Sequence, residues 1–214
     1  MTMTDRQTHW DNVYTTKAEA EVSWYEATPE FSLALMREAG LTPDMSVIDI
    51  GGGASRLVDA LQASGQAHVS VLDLSEAALD VAKSRLADAR RVQWIVADVA
   101  VWTPDRKYDL WHDRAAFHFL TTAEDQQAYV GVLAQALKDG GKAVIGTFAL
   151  DGPAKCSGLP VARYDAQSLQ AVLGEGFRLV SARRHRHVTP NGSVQNFQFC
   201  IFEKMGPAEP SPKA

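Results

Sequence analysis

Apolar and polar positions along the chain follow two periods that exchange at short, regular intervals. Short apolar runs rich in Val and Ile alternate with segments whose apolar residues recur every three or four positions. This is the pattern of buried parallel strands separated by helices. The strands predicted this way are Ser46–Ile50, His68–Leu74, Val92–Val99, Tyr108–Asp113 and Lys142–Leu150. Helices are predicted over Ala54–Ala63, after Ser75 (stripe Leu79, Ala82, Leu86), and after Thr122 (stripe Tyr129, Val132, Leu133, Ala136, Leu137). Thr122 with Asp125 three residues on reads as a capping box, and Gly140-Gly141 as the end of that helix. Asp165 caps a shorter helix with Leu169, Val172 and Leu173 on its face.

Two departures frame this alternation. At the carboxyl-terminal end Phe177–Val188 and Val194–Glu203 are strand-like with no helix between them. Thr189-Pro190-Asn191-Gly192-Ser193 links them as a turn, which predicts an antiparallel hairpin. At the amino-terminal end, aromatics crowd the segments His9-Trp10-Asp11-Asn12-Val13-Tyr14 and Val22-Ser23-Trp24-Tyr25-Glu26. They read as a helix and loop covering the core, or as a lid closing over a ligand; the two are compatible. A helix follows with Thr28 as candidate cap, Pro29 in its first turn, Phe31, Leu35 and Met36 on one face, and a stop near Gly40. The division expected is an amino-terminal lid and helix over 1–40, an α/β domain over 41–205, and a disordered Pro-rich tail over 206–214.

The first strand ends in Val47-Ile48-Asp49-Ile50-Gly51-Gly52-Gly53-Ala54-Ser55. A strand, a glycine turn and a helix start in that order form a binding device. Glycine tolerates positive φ and lets a ligand approach the backbone, and the amides of the helix start face the carboxyl end of the strand. The dinucleotide fingerprint G-x-G-x-x-G would require a third glycine where Arg56 stands, which argues against a nicotinamide-linked oxidoreductase.

Asp49-x-Gly51-x-Gly53 instead resembles motif I of the class I S-adenosylmethionine methyltransferases, and the order of elements extends the resemblance over roughly residues 9 to 204. The resemblance implies a Rossmann-like α/β fold: a mostly parallel seven-stranded sheet, helices on both faces, and the closing hairpin antiparallel. It implies S-adenosylmethionine as cofactor. The candidate cofactor residues are Asp49, Gly51, Gly52 and Gly53, then Asp73 with Leu74 and Ser75, Asp98 with Val99, and Trp24 or Tyr25 facing the sulfonium. Asp73 lies 24 residues after Asp49, and in the family this second-strand acid holds the ribose diol. Asp49 is expected to bind loop amides or the cofactor's ammonium, and Asp98 the adenine amino group.

For the reaction, the run Leu110-Trp111-His112-Asp113-Arg114-Ala115-Ala116-Phe117-His118-Phe119-Leu120 is the most distinctive. Asp113, His118 and Arg114 are the candidate catalytic residues, with His118 or Asp113 as base and Arg114 or Arg163 as a planar fork for an anionic acceptor. The run, together with His-Trp-Asp-x-x-Tyr near the amino-terminal end, is similar to the lysine methyltransferases of elongation factor 1A and citrate synthase. It differs from their D-[KR]-G-x-x-D pattern in having Ala115 for the glycine and His118 for the second acid. The loop from Asp151 to Tyr164, with Cys156, is the other candidate wall. A small-molecule acceptor is therefore expected, with a protein lysine, or a module that binds cofactor without catalysis, as alternatives.

Composition narrows the setting. The 214 residues suit one domain, and the net charge of −5 without a long basic run excludes a nucleic-acid backbone as main partner. Arg183-Arg184-His185-Arg186-His187 is the one basic cluster and reads as a solvated strand face. Cys156 and Cys200 form neither a disulfide framework nor a zinc site, so no metal is expected. With no membrane-length apolar run and no secretory signal, a cytoplasmic location is expected.

Overall fold

The structure, a computed structural model, describes residues 3–206. The expected disordered tail lies, apart from Gly206, outside the described residues. Five parallel strands build the sheet first: β1 (Ser46–Ile50), β2 (His68–Asp73), β3 (Val92–Val96), β4 (Tyr108–Arg114) and β5 (Leu137–Phe148). A two-stranded ribbon, β6 (Lys155–Cys156) and β7 (Leu159–Pro160), follows, and β8 (Phe177–Val188) with β9 (Val194–Lys204) closes the chain as an antiparallel hairpin. The main sheet has seven strands in the order β3-β2-β1-β4-β5-β9-β8, with β9 antiparallel to β5. The order reverses between β1 and β4, which makes the crevice above their carboxyl ends the natural ligand site.

Strand side chains alternate between two cores. Ile48, Ile50, Tyr108 and Trp111 join one face with α5 (Ala123–Ala136) and α6 (Ala166–Leu173). Val47, Leu110 and Val144 join the other with α2 (Glu30–Glu38), α3 (Leu57–Ala63) and α4 (Glu76–Arg85). The helix α1 (Met3–Thr16) packs against α4 at the rim of the crevice.

Several local expectations are corrected. The helix predicted from Ala54 begins at Leu57, because Gly51 and Gly53 take positive φ and Ser55 turns the chain, its Oγ accepting from the Leu57 amide. Thr28 is not the cap of α2; Pro29 holds that position without a side-chain bond. Thr122 caps α5 as expected, but the Asp125 carboxylate lies 3.5 Å from Arg6 Nη1. That helix stops at Ala136, not at the glycine pair, because Leu137 is extended and its side chain is fully buried. Gly140 and Gly141 instead shape the irregular start of β5. Gly140 has φ +76°, and a Cβ on Gly141 would sit 2.8 Å from the Lys138 carbonyl oxygen.

Candidate functional site

Above the carboxyl ends of β1, β2 and β4 lies a half-open cavity of about 130 Å³. Its floor is Ile50 and Gly51 after β1, and Leu72, Asp73 and Leu74 at β2. One side is Ala97, Asp98 and Val99, beyond the end of β3; the other is Arg114, Ala115 and Ala116 at the end of β4. The roof is aromatic: Trp10 and Tyr14 of α1, Trp24 of the following strap, and Phe119. Trp10 lies edge-on to both Trp24 and Phe119, with ring centroids 5.7 and 5.0 Å apart, so the roof is one packed unit.

The glycine turn meets its environment closely. Gly51 has φ +63°, and a Cβ there would lie 2.8 Å from Ala116 Cβ. Gly53 has φ +42°, and its Cβ would lie 2.9 Å from Asp73 Oδ2 and 3.1 Å from the Tyr14 hydroxyl. Both positions therefore require glycine for backbone angle and for space. The amides of Gly51 and Gly52, however, donate to the Leu72 carbonyl at 2.8 and 3.2 Å. They tie the turn to β2 and are not aimed at a ligand. Gly52 and Gly53 do not line the cavity; they allow the turn to pass beneath it.

Asp73 is the acid presented to the cavity. Its Oδ1 accepts from the Ser75 amide at 2.8 Å, which fixes the carboxylate plane. Burial pushes its pKa up to about 7, the backbone bond to Ser75 pulls it down, and the charge of Asp49 adds to the rise. Burial and the charge of Asp73 likewise raise the Tyr14 phenol. Asp98 accepts from Arg6 Nη2 at 2.7 Å and from the Ala100 amide at 3.0 Å. Each carboxylate oxygen has two lone pairs, so both acids keep acceptor capacity toward the cavity.

Ser75 is fully buried beneath α1: its hydroxyl caps α4 and donates to Asp11 Oδ1 at 2.6 Å, and it does not line the cavity. Asp49 is also withdrawn, as Oδ1 is 2.7 Å from His112 Nδ1 on the neighbouring strand; its partner is an imidazole rather than loop amides. Tyr25 faces away, its ring 5.9 Å from the Arg56 guanidinium, which in turn binds Glu19.

The three candidate catalytic residues separate. Arg114 lines the cavity, but its guanidinium donates to the Trp24 carbonyl at 2.6 Å and lies 3.1 Å from Glu26 Oε1. It is already neutralised and braces the strap. Asp113 is fully buried and holds the turn after β4, accepting from the Tyr129 hydroxyl at 2.7 Å and the amides of Ala116 and Phe117. Burial raises it to about 6 against these hydrogen bonds. His118 is fully buried, its pKa pushed down to about 3 by burial, and its nearest polar contact is the Phe148 amide at 3.4 Å. Neither Asp113 nor His118 lines the cavity, because the 3₁₀ turn Phe117–Phe119 points Phe119 toward it and His118 into the core. Arg163 donates to the carbonyls of Leu150 and Gly152. Cys156 does line the cavity, with its thiol raised to about 11 by burial, hence protonated near neutrality. The residue missed from sequence is Arg6, which nothing in its local pattern marks.

Residues 47–141 match the family model of the methyltransferase domain. Among curated proteins, malonyl-[acyl-carrier protein] O-methyltransferase 1 of Ilyobacter polytropus is 29% identical over 110 residues, which is 51% of this chain and 40% of that relative. The chain thus matches well under half the length of that relative. Among solved structures, a SAM-dependent methyltransferase from Anabaena variabilis shares 14% identity at a TM-score of 0.74, covering 94% of each chain. The 1,6-didemethyltoxoflavin-N1-methyltransferase of Burkholderia thailandensis, solved with S-adenosylhomocysteine and its substrate, shares 19% identity at a TM-score of 0.69, over 95% of this chain and 87% of that one. NodS, an N-methyltransferase of Bradyrhizobium japonicum solved with S-adenosylhomocysteine, shares 16% at 0.68, over 91% and 97%. The chain therefore shares the Rossmann-like fold of these methyltransferases over more than nine-tenths of its length. Among the described residues no helix is long and apolar enough to cross a membrane.

Proposed function

We propose that the protein is an S-adenosylmethionine-dependent methyltransferase acting on a small, largely apolar acceptor. The observation that carries this reading is the cavity itself: a glycine turn that would not accept a Cβ, beside a lining acid, Asp73, whose Oδ1 is fixed by a backbone amide. A vicinal diol fits that carboxylate, and Asp98, Val99 and Leu74 suit a flat, amino-bearing ring. When bound, S-adenosylmethionine supplies a methyl carbon already activated by a cationic sulfur. Trp24 and the other roof rings offer that charge π faces, worth roughly 0.5–2 kcal/mol.

The chain's own contribution is alignment and exclusion of water. Holding two reactants in line supplies ~7–11 kcal/mol, against about 3–5 kcal/mol for a general base. No histidine lines the cavity, and its cysteine is protonated near neutrality. This supports an acceptor that attacks without protein base assistance, such as an amine, a thiol or an acidic hydroxyl. A roof of packed aromatic rings favours a small acceptor over a protein side chain, a nucleic acid or a membrane surface.

Calorimetry tests the first half: S-adenosylhomocysteine binds and NAD does not. Binding of NAD with no heat from either adenosyl compound would sink it. Methyl-labelled cofactor incubated with a fractionated extract tests the second; label in the low-mass fraction is expected, and label confined to protein would replace the small acceptor with a protein one.

A further inference from the structure

On the far side of the strap that carries Trp24, Glu26, His185 and His187 converge, each offering a ligand atom within 4.8 Å of the others. The sequence suggested a solvated basic strand here. Arg183, Arg184 and Arg186 are exposed as expected, while β8 turns its two histidines inward at positions i and i+2, one face of the strand, with His187 buried. His187 Nε2 is 2.7 Å from the Ser23 carbonyl oxygen, which can only accept, so Nε2 carries the proton. Nδ1 of the same ring faces Glu26 Oε1, 3.5 Å away. Glu26 Oε1 also receives Arg114, whereas Glu26 Oε2 is buried with no hydrogen-bond partner. His185 stacks on Phe31 at 4.1 Å, which fixes its plane.

We propose that Glu26, His185 and His187 bind a divalent transition-metal ion of the zinc type. Two imidazoles and one carboxylate are a three-ligand set that leaves a fourth position for water, and an open cleft flanks the two histidines and Glu26. The surroundings match what such ligands need. The hydrogen bond from His187 Nε2 to the Ser23 carbonyl leaves Nδ1 as the ligand atom, and Arg114 orients the Glu26 carboxylate through Oε1, leaving Oε2 without a protein partner. The ion joins the strap to the carboxyl-terminal hairpin and so fixes Trp24 in the roof of the cavity. Its role is structural, and it stands apart from the choice of cofactor.

The test uses full-length protein freed of any affinity tag, stripped with a chelator, and titrated with zinc chloride by calorimetry and with cobalt(II) by visible absorption. One equivalent of zinc should bind in the micromolar range or tighter, cobalt should give tetrahedral d–d bands, and melting temperature should rise with zinc. His187→Ala and His185→Gln should each weaken zinc at least tenfold, and Glu26→Gln likewise; His185→Gln, at a half-buried site, keeps the set testable should His187→Ala not fold. Absence of zinc binding at 100 µM would overturn the proposal. Binding that survives the His185 and His187 substitutions unchanged would overturn it equally.

Discussion

Asp49 and His112 face each other across adjacent parallel strands, and Asp49 Oδ1 lies 2.7 Å from His112 Nδ1. The ring's other nitrogen is 3.0 Å from the Ser32 hydroxyl, so a buried relay runs from α2 through β4 to β1 just below the glycine turn. All three groups are almost wholly buried. Replacing His112 by Leu leaves the carboxylate without its partner, and a loss of about 3 kcal/mol in denaturant unfolding is expected. Adding Asp49→Leu to that variant should recover part of the loss, since no orphaned charge remains.

Ala115 has φ +73°, a left-handed conformation that its Cβ resists. It is held there by its amide bond to the Gly146 carbonyl at 2.8 Å and by the Asp113 cap on the next two amides. Ala115→Gly should stabilise the protein by about 1 kcal/mol, seen as a raised denaturant midpoint with unchanged slope. An unchanged or lowered midpoint would mean the turn carries no strain.

The raised pKa of Asp73 has two consequences of defined sign. The folded value, about 7, lies above the unfolded one, so its contribution to stability is full below about pH 4 and is lost as pH rises through 7. A diol donates to the ionised carboxylate, so affinity for S-adenosylhomocysteine should run the other way. It should be constant above pH 7 and fall up to tenfold per pH unit below it, as calorimetry at several pH values would record. In Asp73→Asn the affinity should be weak and independent of pH.

Arg6 bridges from α1 to Asp98 and Asp125, and Asp11 accepts from Ser75. These bonds seat the roof on the cavity. Arg6→Ala should speed cofactor dissociation several-fold in stopped-flow fluorescence of the roof tryptophans, and should expose the first sixteen residues to protease, with the melting temperature moving by only a few degrees.

His118 is a buried neutral ring with Nε2 unpartnered. Its folded pKa, about 3, lies below the unfolded one, so the stability it supports is full above about pH 6.5 and is lost as pH falls toward 3. His118→Met should make unfolding less sensitive to acid between these limits while leaving the shape of the pH–turnover curve unchanged. A shift in that curve would return His118 to the reaction.

The strand ends of the first half were legible because apolar runs stop at acids and glycines whose constraints are local. Asp73 and Arg114 reach the cavity from the ends of β2 and β4, whereas β3 stops at Val96, short of the expected Val99, and Asp98 reaches it from the following turn. Asp113 and His118 share the same polar run as Arg114, yet one holds a turn and the other enters the core. The difference lies in a single 3₁₀ turn that no periodicity signals. The helix expected to reach Gly140 stops at Ala136 because burying Leu137 on the sheet outweighs local helix preference.

What the amino-acid sequence decided alone is what a few neighbouring residues decide: period, turn chemistry, and the need for glycine at positions 51 and 53. The alternation of strands and helices, the closing hairpin and the place of the crevice follow from these. Only the tertiary structure decided which polar groups meet. Arg6 reaches Asp98 across 92 positions and His112 reaches Asp49 across 63. Glu26 is likewise brought to His185 and His187 from the opposite end of the chain. A side chain's charge and partners depend on what packs over it, and packing is settled by the whole sheet.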